Sequence, residues 1–384
     1  MHQMAPGQEV QTPFGAFYLS HALFPADYVH GRERLADLLT VDQSGLRRFL
    51  QPSLGQGFDL RQAIYLDTET TGLSGGVGTY AFLIGIGFFE GQQFRIQQYF
   101  MRDYHEERPL LHHLSQAAGD AAAVVTFNGR AFDLPLVQTR LVASRLTPLF
   151  VDTPHLDLLP PSRRLWRARV GSCSLGSLEE QVLGVRRSGE DVPGWLIPSL
   201  YFRYLQTGDA RQMVSVLYHN AQDILSMVTL ASILSRSLAQ PAGAVEHELD
   251  RCSLGRWCEA QARPHEAEAL YREALAGPLP LAERRRTMAQ LATLLKRQDR
   301  RGEAVELWLT LADDPEWGLT ALEELAKWGE WHSGDLQAAA RWTEQALAWV
   351  AQHWRGPRRR QAEADLRHRL ERLQAKLGAA SPAP

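Results

Sequence analysis

Cysteine is scarce in this chain of 384 residues, which has three thiols, at Cys173, Cys252 and Cys258. Three scattered cysteines exclude a disulfide framework, and the lack of a Cys-x-x-Cys pair excludes a zinc knuckle. Cys252 and Cys258 lie in a stretch with helical character, where we expect both side chains to be packed as small apolar groups.

Lysine is equally rare, because only three of the 41 basic residues are lysine. The formal net charge is −3, so the molecule as a whole lacks the basic character of a general nucleic-acid binder. Any basic contact surface must therefore be local. It would rely on arginine, whose planar guanidinium suits phosphate groups.

A long hydrophobic run is also missing. The longest one, YAFLIGIGFF at residues 80–89, is too short and too interrupted by glycine to cross a bilayer. The N-terminus shows no basic segment followed by an apolar one. We therefore expect no membrane association and a cytoplasmic protein with reduced thiols.

The hydrophobic content of 45% predicts a sizeable core, and the length suggests two domains. Residues 1–55 contain two helix-like segments, RERLADLL and QSGLRRFL, and are expected to form an N-terminal extension that packs on the next domain. Residues 56–238 form that domain. Residues 239–247 are a linker that begins with Pro, Gly and Ala, and residues 248–384 form a helical domain.

Strand and helix patterns alternate within residues 56–238. AIYLDTE, TYAFLIGIGFF and QFRIQQYFM have the composition of strands and are joined by short connections. A helix (RPLLHHLSQAA), a strand (AAVVTFNG) and a second helix (LPLVQTRLVAS) follow. This order predicts a mixed α/β sheet flanked by helices.

The C-terminal part contains an internal repeat. HEAEALYREAL, GEAVELWLTLA and LQAAARWTEQAL align with aromatic residues at Tyr271, Trp308 and Trp342, in steps of 37 and 34 residues. These steps are close to the roughly 34-residue period of tetratricopeptide helix pairs, so we predict a tetratricopeptide-like helical repeat domain. Such repeats could present a groove to a protein partner. Alternatively, their arginine clusters could extend a nucleic-acid track.

The segment YLDTETTGL at residues 65–73 places two carboxylates at the end of a predicted buried strand. Asp67 and Glu69 are two residues apart and therefore lie on one face of that strand. Two like charges on a buried face are costly unless water or a cation accompanies them. Carboxylate oxygens prefer hard divalent cations such as Mg²⁺ or Mn²⁺.

Two later segments supply more acids. FNGRAFDLPLV places Asp133 where a strand ends and a helix begins, and YHNAQDILSMVTL places His219 and Asp223 one helical turn apart. Four carboxylates from two strand ends and a helix suit two metal ions roughly 3.5–4 Å apart, which is the arrangement for in-line phosphodiester displacement. His219 would accept a proton from the attacking water.

The segments DTETTGL, FNGRAFDLPLV and YHNAQD resemble the three motifs of the DEDD-type exonucleases, which have the ribonuclease H-like fold. Over about residues 10–235, the chain is similar in particular to the YprB-type ribonuclease H-like domain proteins, some of which carry a tetratricopeptide-like tail. The resemblance implies 3′→5′ exonuclease activity and four metal ligands, namely Asp67, Glu69, Asp133 and Asp223.

The identity of the proton acceptor is open. In the histidine subclass of these exonucleases the base precedes the last aspartate by five residues, and in the tyrosine subclass by four. In this chain Tyr218 is five residues and His219 four residues before Asp223. We expect His219 to be the base, because residues i and i+4 share a helix face whereas Tyr218 would point about 140° away.

The first two motifs also contain candidates for substrate binding. In related exonucleases the TTGL turn meets the terminal nucleotide, which implies that Thr70 and Leu73 hold its sugar and base. Packing at the strand edge is the alternative for Leu73. Asn128 either forms hydrogen bonds near the metal site or caps the helix that follows.

A basic segment, RRLWRARV at residues 163–170, lies inside the same domain. Its guanidinium groups could bind phosphates and the indole of Trp166 could stack on an unpaired base. A solvated helix face is the alternative. The candidate phosphate-binding residues are Arg163, Arg164 and Arg167.

Together these observations predict a metal-dependent nuclease, specifically a 3′→5′ exonuclease that acts on single-stranded DNA or RNA ends with two Mg²⁺ or Mn²⁺ ions. A structure-specific endonuclease is one alternative, because the ribonuclease H-like fold serves both modes. The other is a non-catalytic nucleic-acid-binding scaffold that recruits a protein through the helical repeats. The presence of all four acids and a histidine favours an enzyme.

Overall fold

The computed structural model describes residues 6–50, 58–72 and 78–380. The chain divides into two units, Met1–Ala244 and Val245–Pro384. Within the described ranges, no helix combines the length and the apolar character needed to cross a membrane.

The first unit contains a seven-stranded mixed sheet with flanking helices, which confirms the predicted fold class. Its lateral order is β1-β2-β7-β6-β5-β8-β9, and a separate hairpin pairs β3 with β4. The strands are β1 (Gly7–Thr12), β2 (Gly15–Pro25), β3 (Val29–His30), β4 (Glu33–Arg34), β5 (Ala63–Thr70), β6 (Ala81–Glu90), β7 (Gln93–Phe100), β8 (Ala123–Thr126) and β9 (His155–Asp157).

The sequence analysis missed β1 and β2 and expected helices in the first 55 residues. β2 pairs antiparallel with β7, so these residues belong to the sheet itself. The first predicted helix is reduced to α1 (Asp37–Thr40), and the second to one 3₁₀ turn at Leu46–Phe49. β1 and β2 form a local hairpin in which Thr12 pairs with Gly15, and only the pairing of β2 with β7 joins residues that are distant in sequence, such as Tyr18 and Phe100.

Helices cover the sheet on both faces and follow one another along the first unit. They are α2 (Glu107–Ala118), α3 (Asp133–Ala143), α4 (Leu159–Val170), α5 (Leu175–Leu178), α6 (Ile197–Thr207) and α7 (Arg211–Ala239). Helix α6 contributes to the core through Tyr201, whose ring stacks on Phe82 of β6 with centroids 3.9 Å apart.

Helix α7 packs against β5 and β6, and two glycines of β6 allow this close approach. A Cβ atom on Gly85 would lie 2.1 Å from Oδ1 of Asn220, and one on Gly87 would lie 2.5 Å from Cγ2 of Ile224. The two glycines are two residues apart and therefore share a face of β6. This bare stripe lets α7 lie directly on the sheet.

One edge of the sheet collects the ends of parallel strands. β5 pairs in parallel with β8, and β8 with β9. The carboxyl ends of parallel strands meet at one edge, which is where α/β proteins place their ligand sites. Asp67 and Glu69, the loop after β8 and the start of α3 all lie at this edge.

The second unit is helical throughout its described residues. It contains α8 (Glu248–Ala260), α9 (Pro264–Ala276), α10 (Leu281–Arg297), α11 (Arg301–Leu311), α12 (Gly318–Trp328), α13 (Leu336–His353) and α14 (Gly356–Ala380). Each helix packs on the next one in sequence. Cys252 and Cys258 are buried free thiols, as predicted. The tetratricopeptide character of the helices stays a prediction.

Candidate active site

The predicted acids and the predicted base meet at the carboxyl edge of the sheet. Nε2 of His219 lies 3.7 Å from Oδ2 of Asp223 and 4.0 Å from Oε1 of Glu69. Asp133, the first residue of α3, accepts a hydrogen bond of 2.5 Å from the hydroxyl of Thr68 on β5. Residues from β5, α3 and α7 thus converge on one point.

Burial and repulsion raise the pKa of the acids in this cluster. For Asp67 and Glu69 the pKa lies well above its usual value, first because of burial and then because of the charges on Asp223 and the other acids. Burial raises the pKa of Asp133 to about 6. Burial also raises the pKa of Asp223, although Arg187 and His219 oppose that shift.

Asp191 holds the imidazole of His219, because its Oδ1 lies 2.8 Å from Nδ1. Nη1 of Arg187 also lies 3.0 Å from the same Nδ1. In the tautomer that is protonated at Nδ1, the ring donates to Asp191 and the lone pair of Nε2 is directed towards Glu69 and Asp223. The hydroxyl of Tyr218 instead accepts a hydrogen bond of 3.3 Å from the backbone N–H of Ser188. This geometry favours His219 over Tyr218 as the proton acceptor.

Arg187 carries a positive charge into the cluster. Its guanidinium donates hydrogen bonds of 2.6 and 2.8 Å to Glu179 and another to Asp223, and its Nη1 lies 3.5 Å from Asp191. Glu179 is 3% exposed and also accepts a hydrogen bond from Ser226. Arg187, Glu179 and Asp191 were not among the site residues predicted from the sequence.

Asn220 fixes the position of Asp67. It is fully buried and donates a hydrogen bond of 2.8 Å to Oδ2 of Asp67, while its own oxygen accepts one of 2.9 Å from Gln98. Its place between His219 and Asp223 on a buried helix was the available signal, and the sequence analysis did not use it.

The donor chemistry of the cluster fits divalent cations. Six carboxylates lie in or next to it, namely Asp67, Glu69, Asp133, Glu179, Asp191 and Asp223, and Arg187 is the guanidinium among them. Within residues 6–50, 58–72 and 78–380, however, no group of three His, Cys, Asp or Glu side chains is already arranged to hold a metal ion. Asp223 pairs with Arg187 through Oδ1, so its Oδ2 is the oxygen that could join a metal site.

The predicted substrate-binding residues of the first two motifs differ in their contacts. The hydroxyl of Thr70 donates a hydrogen bond of 2.8 Å to the backbone oxygen of Gly72 and so stabilises the turn after β5. Leu73 lies outside the described residues. Asn128 has a φ of 65°, and its N–H donates a hydrogen bond of 2.8 Å to Asp157. It does not cap α3, which begins without a side-chain cap.

The basic segment forms α4, and its residues divide between the surface and the core. Arg163 and Arg167 line a cleft together with Asn128 and Ser172. Arg164 is exposed on the same helix.

The stacking role predicted for Trp166 is wrong, because this residue is 1% exposed and belongs to the core. The helical period turns Trp166 inwards, whereas the arginines on either side of it in sequence face outwards.

Comparison with known proteins identifies the family of the chain. Residues 64–235 match the family model of the RNase H superfamily, which defines the chain as a nuclease-like protein with a ribonuclease H-like domain. Over 333 residues the chain is 31% identical to the uncharacterized protein YprB of Bacillus subtilis (strain 168), covering 85% of this chain and 79% of that protein. The chain belongs to the YprB family.

Proposed function

We propose that this protein is a metal-dependent exonuclease that hydrolyses phosphodiester bonds from the 3′ end of single-stranded DNA or RNA. The observation that carries this proposal is the convergence of Asp67, Glu69, Asp133 and Asp223 with His219 at one edge of the sheet. The 3′→5′ direction and the exonuclease mode come from the resemblance to DEDD-type exonucleases.

The four acids would hold two Mg²⁺ or Mn²⁺ ions, with Asp223 contributing Oδ2. When bound, the ions would supply the positive charge that stabilises negative charge on the phosphodiester oxygens during displacement. Burial of the acids supports this assignment, since a dry carboxylate cluster gains most from a divalent cation.

His219 accepts the proton of the attacking water at Nε2. Asp191 keeps the opposite nitrogen protonated through the hydrogen bond of 2.8 Å, and its negative charge stabilises the imidazolium that forms. Asn220 keeps the carboxylate of Asp67 in place through its hydrogen bond to Oδ2.

The cleft that contains Arg163 and Arg167 would bind backbone phosphates of the substrate. It also contains Phe127 and Asn128, which follow β8 at the same edge of the sheet as the acids. Phosphate contacts of this kind position a strand without selecting its sequence. For the second unit, recruitment of a protein partner stays a prediction from its helical repeat pattern.

Digestion of end-labelled oligonucleotides tests the proposal. Single-stranded DNA and RNA, duplexes and hybrids are incubated with Mg²⁺ or Mn²⁺, with and without chelator, and product lengths are read. We expect a ladder that shortens from the 3′ end and disappears with chelator. Asp67→Asn should lower the rate by at least about 10²–10³-fold, while the surface control Asp209→Asn keeps full activity.

Other outcomes of that digestion would contradict the proposal. Metal-dependent cuts within the strand, without shortening from an end, would indicate an endonuclease. Retained binding without metal-dependent cleavage of any substrate would indicate a nucleic-acid-binding scaffold.

A further inference from the structure

An exposed tryptophan lies beside the proposed proton acceptor. Trp195 is 72% exposed, the highest value for a large hydrophobic residue in the described part of the chain. It belongs to a 3₁₀ turn, Gly194–Leu196. A Cβ atom on Gly194 would lie 3.7 Å from Nε2 of His219, so the backbone next to Trp195 borders the imidazole.

The segment that carries Trp195 is anchored on both sides. Val192 and Leu196 pack against the hydrophobic core of the first unit. The N–H of Leu196 donates a hydrogen bond of 2.8 Å to the oxygen of Pro193, and Asp191 is bonded to His219. The backbone turn that carries the exposed indole is therefore anchored.

The same segment also forms a wall of the active-site cleft. Asp191, Val192 and Pro193 line this cleft together with His219 and Asp223. Trp195 follows directly after this wall. A strand whose end reaches the acids and His219 would therefore pass close to the indole.

Single exposed apolar residues are common on protein surfaces, but the position of this one is specific. Every nucleobase offers a π face to an indole, and stacking of this kind is tolerant of sequence. An indole has only two χ angles to order when a base stacks on it, so the loss of conformational entropy is small. Trp166, the residue first predicted to stack, is buried in the core.

We propose that Trp195 stacks on the unpaired nucleobase at the 3′ end of the substrate and thereby positions the terminal phosphodiester at the acidic cluster. This assignment rests on the proposed nuclease function and identifies what the site recognises, which is a terminal nucleotide with its base present. Trp195 is a substrate-positioning residue, and His219 remains the proton acceptor.

Binding of abasic oligonucleotides to the full chain tests this assignment. Fluorescence anisotropy is measured in chelator, so that nothing is cleaved, with three single strands: a complete one, one abasic at the 3′-terminal nucleotide and one abasic at the 5′-terminal nucleotide. The wild type should bind the 3′-abasic strand roughly 5- to 100-fold more weakly than the complete strand. The 5′-abasic strand should bind like the complete one.

Variants separate stacking from other effects. Trp195→Ala should bind the complete and the 3′-abasic strands equally, and Trp195→Phe should keep part of the preference. Trp331→Ala is the matched control, because Trp331 is also exposed, at 54%, but lies in the second unit. It should keep the full preference of the wild type.

The outcomes distinguish this inference from the proposed function. Equal binding of complete and 3′-abasic strands by a wild type that still degrades DNA or RNA overturns the stacking and leaves the nuclease standing. Equal weakening of both strands by Trp195→Ala also overturns it. If the wild type binds the 5′-abasic strand more weakly than the complete strand, but binds the 3′-abasic strand equally well, the placement of Trp195 at the 3′ end is contradicted. Failure to bind or cleave any strand removes both proposals.

Discussion

The two units both bury carboxylates, but they neutralise them in opposite ways. In the first unit, Asp67 and Glu69 lie among other acids, and burial and repulsion raise the pKa of both well above the usual value. In the second unit, Glu330 is ion-paired with Arg372 at 2.9 Å and with Lys376 at 2.8 Å, and these cations of α14 lower its pKa to about 2.

This difference distinguishes a carboxylate that stabilises the fold, such as Glu330, from carboxylates that fit a ligand site, such as Asp67 and Glu69. Glu330 has its counter-charges within the chain, so its ion pairs contribute to the docking of α14. The acids of the first unit raise the free energy of the folded chain until a cation from outside joins them. Natural proteins keep such local violations of stability mainly at functional sites.

The largest effect on stability is expected when the paired carboxylate loses its charge. Glu330→Gln should destabilise the docking of α14 by roughly 1–3 kcal/mol, because Arg372 and Lys376 lose the negative charge and one of the two acceptor oxygens. Hydrogen–deuterium exchange of residues 356–380 in the full chain measures this. Glu371→Gln, which neutralises an exposed glutamate on the same helix, is the control and should leave exchange unchanged. Unchanged exchange in Glu330→Gln would contradict the structural role.

Asp191 lies in the first unit next to the buried acids, but its carboxylate is hydrogen-bonded to His219. It therefore tests whether a partnered carboxylate at this site supports activity. Asp191→Asn should lower turnover by roughly 10–100-fold, as expected for loss of a residue that orients a reactive group. The loss should appear in kcat with KM nearly unchanged, because Asp191 acts through the position of His219. A higher KM at unchanged kcat would contradict this role.

Neutralising an acid of the first unit should have the opposite sign to Glu330→Gln. In the presence of chelator, Asp67→Asn should raise the free energy of unfolding by about 1 kcal/mol, since it removes a buried charge that repels its neighbours. The amide can still accept the hydrogen bond from Asn220. Thermal unfolding of the full chain measures the change, and a lower midpoint would contradict the account.

The two kinds of carboxylate should also respond to pH in opposite directions. The pKa of Asp133 is raised from 3.8 to about 6, so the folded state binds the proton first. In chelator, the stability of the first unit should increase as the pH falls from about 6 towards 3.8. Glu330 has its pKa lowered from 4.5 to about 2. Its contribution is complete above 4.5 and is lost as the pH falls towards 2.

Exchange protection of α3 and α14, corrected for the intrinsic rate at each pH, separates the two windows. If the protection of α3 decreases as the pH is lowered from 6 to 3.8, while the protection of α14 stays constant, the repulsion inferred for the first unit is absent.

The parts predicted from the sequence are those encoded in local patterns. The strands β5 to β8 and the helices α2 and α3 follow from their hydrophobic periods, and Asp67 and Glu69 follow from their spacing on a strand. The strands β1 and β2 were missed although they form a local hairpin, and only the pairing of β2 with β7 joins residues that are distant in sequence.

Contacts between loops and helices could not be predicted from the sequence either. Asp191 and Arg187 reach the site from the irregular segment before α6, which no periodic pattern describes. Trp166 was predicted to be exposed because Arg164 and Arg167 lie close to it in sequence. Its own position on α4 faces the core.

The central claim is that the acids of the first unit are completed by divalent cations. Isothermal titration of Mn²⁺ into the chelator-treated full chain near neutral pH tests it most directly, with Asp67→Asn and Asp209→Asn measured in parallel. The account predicts two bound ions for the wild type and for Asp209→Asn, and loss of binding for Asp67→Asn. No binding to the wild type, or equal binding to Asp67→Asn, would contradict it.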